Sequence, residues 1–326
     1  MVDFPPLRHA IVRPALRKGT EAMKATAIFL ILTLLLGLSS CAHPNSLSSS
    51  SSAPPVTGGG QWEQTPISSD CSAFCTVETT VDLSDCFQGI NGCAVVYSPC
   101  DQQLWFYQES LCRQQVSPFS TFKIISALLG LEAGVIKDET STLDYNGTQY
   151  ANSAWNDNLT LAQAFSSSCI WYFRQVIDAV GPEVVQQALD TLSYGNCDIS
   201  QCEGSGINQP ENLNGFWLDS SLRISPLEQV QALASIFEGN SPFSSSAVDL
   251  VSHLMLVEEN GTQSIYGKTG TGRVNGQDVN GWFIGFVENA DNTYFFASNI
   301  QYQKHATGKK ASEITLSVLS DLNIWR

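Results

Sequence analysis

Histidine is scarce in this chain, and positive charge is outnumbered by negative. Four histidines occur in 326 residues, and only His253 and His305 lie beyond the first 60. A zinc centre would therefore have to lean on cysteine, yet the Cys71-x3-Cys75 pair has no matching second pair, so no metal is expected. Sixteen lysines and arginines face 31 aspartates and glutamates. Residues 1–40 hold five of the basic and two of the acidic residues, so the remainder carries 11 against 29, a formal charge of −18. A surface of that sign repels phosphates and excludes nucleic acid as a partner. The apolar stretch from Ala25 to Leu36 falls short of the about 20 residues that a membrane-crossing helix needs. No internal repeat is visible, and the length allows one large domain or two modest ones with a buried site.

What the N-terminus does contain reads as an export signal. "MKATAIFLILTLLLGLSSC" runs from a lysine through an apolar core to small residues and Cys41. Leu38-Ser39-Ser40-Cys41 resembles the bacterial lipobox, whose cysteine becomes the lipidated first residue of an exported lipoprotein anchored to the outer face of a membrane. Residues 1–22, with Arg8, Arg13, Arg17 and Lys18, precede a second methionine, Met23, and read either as a start-site artefact or as a long basic leader. The Ser-, Pro- and Gly-rich stretch over 41–70 has too little apolar content to repay its ordering and is expected to be a flexible tether. Nine cysteines follow Cys41, six of them from Cys71 to Cys112. In an exported chain these predict disulfides with one thiol left over, and Cys197 and Cys202 are near enough to staple one loop if the geometry permits.

From residue 71 to 326 the pattern is that of one α+β domain. "GCAVVYSP" and "QLWFYQE" read as a hairpin, "SIYGKTGTGRV", "VNGWFIGFVE" and "NTYFFASNI" as consecutive antiparallel strands, and "ASEITLSVLSDL" as a closing amphipathic helix. Between them, from Ser120 to about Glu238, the chain reads as helical with polar loops. The expected architecture is a central antiparallel sheet completed from both chain ends, flanked by helices, with an inserted helical lobe and a site between the lobes.

"SPFSTFKIISALLGLEAGVI" begins the helical part. Nearly every position from Phe122 to Leu131 is apolar, so the helix is expected to be buried all round, and Ser120 and Lys123 share one face by their i, i+3 spacing. A serine beside free N–H groups at a helix start can form a stabilised oxyanion on attack, and a lysine in an apolar setting is held neutral and available as a base. The plain alternative is an N-cap serine and a lysine that reaches solvent. Further along come Ser168-Cys169-Ile170, Tyr194-Gly195-Asn196, Phe216-Trp217-Leu218 and Lys268-Thr269-Gly270-Thr271. Lys-Thr-Gly on a strand edge accompanies S-x-x-K in serine acyl-transfer sites, and the glycine would let a substrate lie against the strand.

With these segments in this order, the chain resembles the penicillin-recognising serine enzymes, and among them the class D, oxacillinase-type β-lactamases, over roughly residues 90–326. The resemblance implies hydrolysis of the β-lactam amide of penicillin-type antibiotics, which gives antibiotic resistance. It implies Ser120 as nucleophile, Lys123 as a lysine that takes up carbon dioxide to become a carbamate and general base, Ser168 as a proton relay, Trp217 as the indole donor to the carbamate, and Lys268 as a partner in the site. Backbone N–H groups of Ser120 and Thr271 would form the oxyanion hole. Ile170, Leu218, Thr269, Gly270, Thr271 and either Lys309 or Lys310 are expected to meet the substrate, with carbon dioxide as the only auxiliary group. Ile170 stands where the family usually has valine. The "GKK" lysines, or Arg273, stand in for the family's carboxylate-binding arginine, keeping charge but, for lysine, losing the bidentate fork. Trp217 read alone is an ordinary buried aromatic, and Tyr194-Gly195-Asn196 reads equally as a cleft wall or a structural turn. Two rivals share the scaffold: a D-alanyl-D-alanine peptidase, and a β-lactam sensor domain, which in known sensors is joined to membrane spans that this sequence is not expected to contain.

Overall fold

The computed structural model describes residues 76–326 apart from 209–210, 275 and 302–304. The leader, Cys41, the tether, Cys71 and Cys75 lie outside the described residues. Seven strands, β1 (Val77–Thr80), β2 (Gly92–Ser98), β3 (Gln103–Tyr107), β4 (Leu256–Glu259), β5 (Gln263–Val274), β6 (Gln277–Asn289) and β7 (Thr293–Gln301), form one sheet in the order β1-β3-β2-β7-β6-β5-β4. Every pairing is antiparallel except β1 with β3. The hairpin β2–β3 joins the C-terminal strands through β2 and β7, with Gly92 opposite Ile300 and Tyr97 opposite Phe295. The sheet is thus completed from both ends of the chain, as the sequence predicts.

Nine helices are described: α1 (Ser84–Phe87), α2 (Glu109–Cys112), α3 (Lys123–Glu132), α4 (Leu161–Ser166), α5 (Ile170–Val180), α6 (Pro182–Leu192), α7 (Pro226–Phe237), α8 (Ser245–Met255) and α9 (Gly308–Asp321). Strands β2 and β7 and the middle of β6 are buried almost without interruption because both faces of the sheet are covered there. Val95 and Trp282 belong to the core beneath the helical lobe, whereas their neighbours Val96 and Phe283 belong to a second core under α9. Two helix starts are set by local chemistry. Ser225 and Glu228 form a reciprocal capping box ahead of Pro226 in α7, and the Thr307 side chain accepts from Lys310 N at the start of α9.

Three expectations need correction. The helical insertion runs past Glu238, because α8 precedes the first C-terminal strand. An unanticipated parallel edge strand, β1, lies outside the hairpin; all four of its residues are exposed, so no apolar alternation marks it. Among the described residues, seven cysteines are free thiols: Cys86, Cys93, Cys100, Cys112, Cys169, Cys197 and Cys202. The stapled Cys197–Cys202 loop is not seen. Cys197 has a left-handed φ of 52° and bonds the Leu189 carbonyl at 3.3 Å, while Cys202 bonds the Ile199 carbonyl at 3.1 Å.

Candidate active site

Ser120 lies on a 3-10 turn, Phe119–Phe122, that runs straight into α3. The change of helical pitch puts Lys123 at the first position of α3, and its Nζ donates to Ser120 Oγ at 2.9 Å. The sequence expectation of a helix buried all round holds: every residue from Lys123 to Gly130 is buried. Phe122, with no exposed surface, stacks on Trp217 at 5.5 Å and meets Phe216 and Tyr194 edge-on at 5.3 and 5.9 Å. Burying such a side chain stabilises by roughly 1.5–3 kcal/mol, enough to pin the turn that carries the serine. Under the turn, Gln229 Nε2 on α7 donates to Thr121 Oγ1 at 3.0 Å, and Tyr194 OH donates to Gln229 Oε1 at 3.3 Å.

Lys123 is entirely buried, and no ion pair to it is found among the described residues. Burial, followed by the charge of Lys268, holds its amine well below the usual lysine range. The Phe173 ring opposes this by attracting a cation, but at 5.8 Å it sits at the edge of cation–π range, so desolvation prevails. Lys268, on β5, is also buried, and burial alone lowers it to about 8. Its Nζ donates to Ser168 Oγ at 3.0 Å and to the Thr269 carbonyl at 3.1 Å. Ser168 sits between α4 and α5 with a left-handed φ of 55°, which turns its hydroxyl toward the lysine. Two serine–lysine pairs from three separated segments are thereby brought together, one buried amine acting electrostatically on the other.

A Cβ at Gly270 would lie 3.3 Å from the Pro118 carbonyl oxygen and from Thr121 Cγ2, so the missing side chain lets β5 close against the turn that carries Ser120. On the other side Gly308, at the start of α9, lies so close to the strand that its Cβ would meet the Gly270 carbonyl oxygen at 2.8 Å. The Gly308 N–H donates to Thr271 Oγ1 at 2.9 Å. Thr271 is exposed and Thr269 half-buried, so both stand at the solvent-facing rim of the site.

Trp217 is buried, and its indole N–H has no hydrogen-bond partner among the described residues. Leu218 is 4% exposed, so it is packed rather than presented to a ligand, which corrects its expected contact with substrate. Ile170 begins α5 and is half-buried directly after Ser168 and the buried Cys169, whose thiol burial raises to about 11. Lys309 and Lys310 stand in the first turn of α9; Lys310 Nζ is 3.3 Å from Glu313, and no ion pair to Lys309 is found among the described residues. Arg273 pairs with Asp278 at 2.7 Å with most of its side chain exposed, a solvated hairpin charge. Tyr194-Gly195-Asn196 is a structural turn. Gly195 has a φ of 59° and no room for a Cβ, which would fall 2.0 Å from the Arg223 carbonyl oxygen, and Asn196 Oδ1 accepts from Arg223 N at 2.9 Å.

The sequence reading missed the Thr121–Gln229–Tyr194 chain, because α7 carries two glutamines, Gln229 and Gln231, and the residues alone do not say which one is buried.

The family model of the penicillin binding protein transpeptidase domain matches residues 89–320. The chain belongs to that family. The regulatory protein BlaR1 of Bacillus licheniformis is 38% identical over 235 residues, which make up 72% of this chain and 37% of BlaR1. The chain thus spans little more than a third of that relative's length. The C-terminal domain of the Bacillus licheniformis BlaR penicillin-receptor superposes with a TM-score of 0.69 at 36% identity, covering 77% of this chain and 98% of that domain. A class D β-lactamase from Bacillus subtilis does so with a TM-score of 0.67 at 33% identity, covering 75% and 96%. The seven-stranded sheet and its helices are the class D β-lactamase fold, one shared by hydrolases and receptors.

Proposed function

We propose that the protein is a serine β-lactamase of class D type. The carrying observation is the 2.9 Å contact between Ser120 Oγ and the fully buried, ion-pair-free amine of Lys123. A neutral amine at that distance accepts the hydroxyl proton as Oγ attacks the β-lactam carbonyl. Ser168, held by Lys268, stands as the relay that returns a proton to the leaving nitrogen. Thr271, Lys309 and Lys310 offer the donors and positive charge for a substrate carboxylate.

Carbon dioxide bound to Lys123 as a carbamate would supply an anionic oxygen that reaches further than the amine and can take a proton from the deacylating water. The residues fit that group: burial favours the neutral amine that carbamate formation requires, and the buried Trp217 N–H has no acceptor among the described residues. Ile170, one methylene larger than valine, narrows the space for water and bears on turnover rather than on acylation.

The test is intact-protein mass over time with a slight excess of a simple penicillin and added bicarbonate. A penicilloyl adduct that forms and clears while drug is consumed supports the lactamase; an adduct lasting hours moves the reading to a receptor, as the BlaR likeness would have it. We also propose export as a lipoprotein through Cys41. Cys41→Ala should move the protein from the membrane to the soluble fraction on cell fractionation, and retention in the membrane would overturn the anchor.

A further inference from the structure

Phe119, immediately before Ser120, has a left-handed φ of 50°, a conformation rare for a bulky side chain, and is only 5% exposed. Outliers of this kind persist only where their surroundings hold them. Here two contacts do so. The Phe119 N–H donates to the Trp217 carbonyl at 3.0 Å, and its ring lies over Gly272 on β5, so that a Cβ at Gly272 would fall 2.4 Å from Cε2 and Cζ. The ring thus occupies space that Gly272 leaves open, two residues beyond Gly270 and next to Thr271. One residue is tied to the tryptophan loop by its backbone and to the substrate strand by its ring, and the next residue is the nucleophile.

We infer that Phe119 is a positioning residue: by bracing the 3-10 turn between the Trp217 backbone and Gly272, it sets where Ser120 Oγ stands relative to Lys123 and to the edge of β5. This rests on the acyl-transfer reading of Ser120. The ring is too buried to serve as a broad substrate contact, so its removal should affect the chemical step more than binding.

The experiment compares Phe119→Ala, Phe119→Leu and Gly272→Ala with the wild type. The limiting rate of acylation by a fluorescent penicillin, the concentration giving half that rate, and the melting temperature are read for each. Because small misplacement of a reacting atom is costly, Phe119→Ala and Gly272→Ala should each lower the limiting rate by about tenfold or more with little change in the half-saturating concentration. Phe119→Leu, which keeps a branched apolar side chain in part of that space, should recover to within about threefold. Rates within about twofold of wild type for all three, or losses that follow melting temperature alone, would overturn the inference. Should the wild type take no penicillin, the proposed function fails separately. The crystal structure of Phe119→Ala then decides this point: a Ser120–Lys123 separation that lengthens from 2.9 Å supports the bracing, and an unchanged one rejects it.

Discussion

The floor of the cleft and its rim are built on opposite terms. On the floor, Ser120, Lys123 and Trp217 are held by stacked rings, a buried glutamine and a close strand, so each side chain has several independent reasons to stay where it is. At the rim, Thr271 and Lys309 are exposed, and Lys310 leans on a single surface partner, Glu313. Contacts among exposed charges are weak and screened, whereas a buried amine feels every neighbouring charge and dipole strongly. Chemistry should therefore fail abruptly when the floor is altered and degrade gradually when the rim is.

The sharpest break is Ser120→Ala, which should abolish covalent labelling by penicillin in a gel or mass assay; persistent labelling would remove Ser120 as nucleophile. Next, Trp217→Phe keeps the ring stacked on Phe122 but deletes the unpartnered N–H. Deacylation should slow on the order of 10²-fold while acylation survives, measured by adduct lifetime with and without bicarbonate. Equal loss in both steps would assign the indole to packing.

A smaller effect is a displaced pH profile. Lys123 is lowered by burial and then by Lys268, so protonation on acidification removes the base and activity falls as pH drops through the lowered value. Lys268→Met deletes the like charge and should raise the Lys123 pKa, moving the acid limb of the acylation rate to higher pH. The wild-type profile should also lose activity above about 8 as Lys268 gives up its charge, a limb the variant would lack. The smallest effect belongs to the rim. Lys309→Ala should raise KM by about threefold, less at high salt, and Lys310→Ala by less, since its charge is already shared with Glu313. A hundredfold loss from either would erase the distinction between floor and rim.

Much of this was legible in the sequence because it is written in periodicity and in adjacency. The run after Phe122 has apolar residues at nearly every position, so the depth of Lys123 follows from its neighbours alone. Strands β2, β6 and β7 are apolar enough to be found one at a time, and β5 is marked by its Lys-Thr-Gly motif. What escaped depends on contacts across the chain. The exposed β1 is a strand only because β3 pairs with it. Gly270 and Gly272 owe their identity to Thr121 and Phe119, residues about 150 positions away, and no local pattern encodes such a meeting. The cysteines belong with these: composition predicts pairing in an exported chain, but which side chains meet depends on the fold, which puts Cys112 of α2 beside Cys93 of β2 while Cys197 and Cys202 bond different carbonyls.

The register that sets Gly92 opposite Ile300 also dictates a timetable. A strand near the beginning must wait for one some 200 residues later, and ordering contacts of that separation is slow. Until β5 to β7 have been synthesised, Lys268 cannot reach Ser168, and the turn carrying Ser120 has no strand to rest against. The two serine–lysine pairs therefore meet only when about the last fifth of the chain closes the sheet, so the site is assembled at the end of folding rather than along the way.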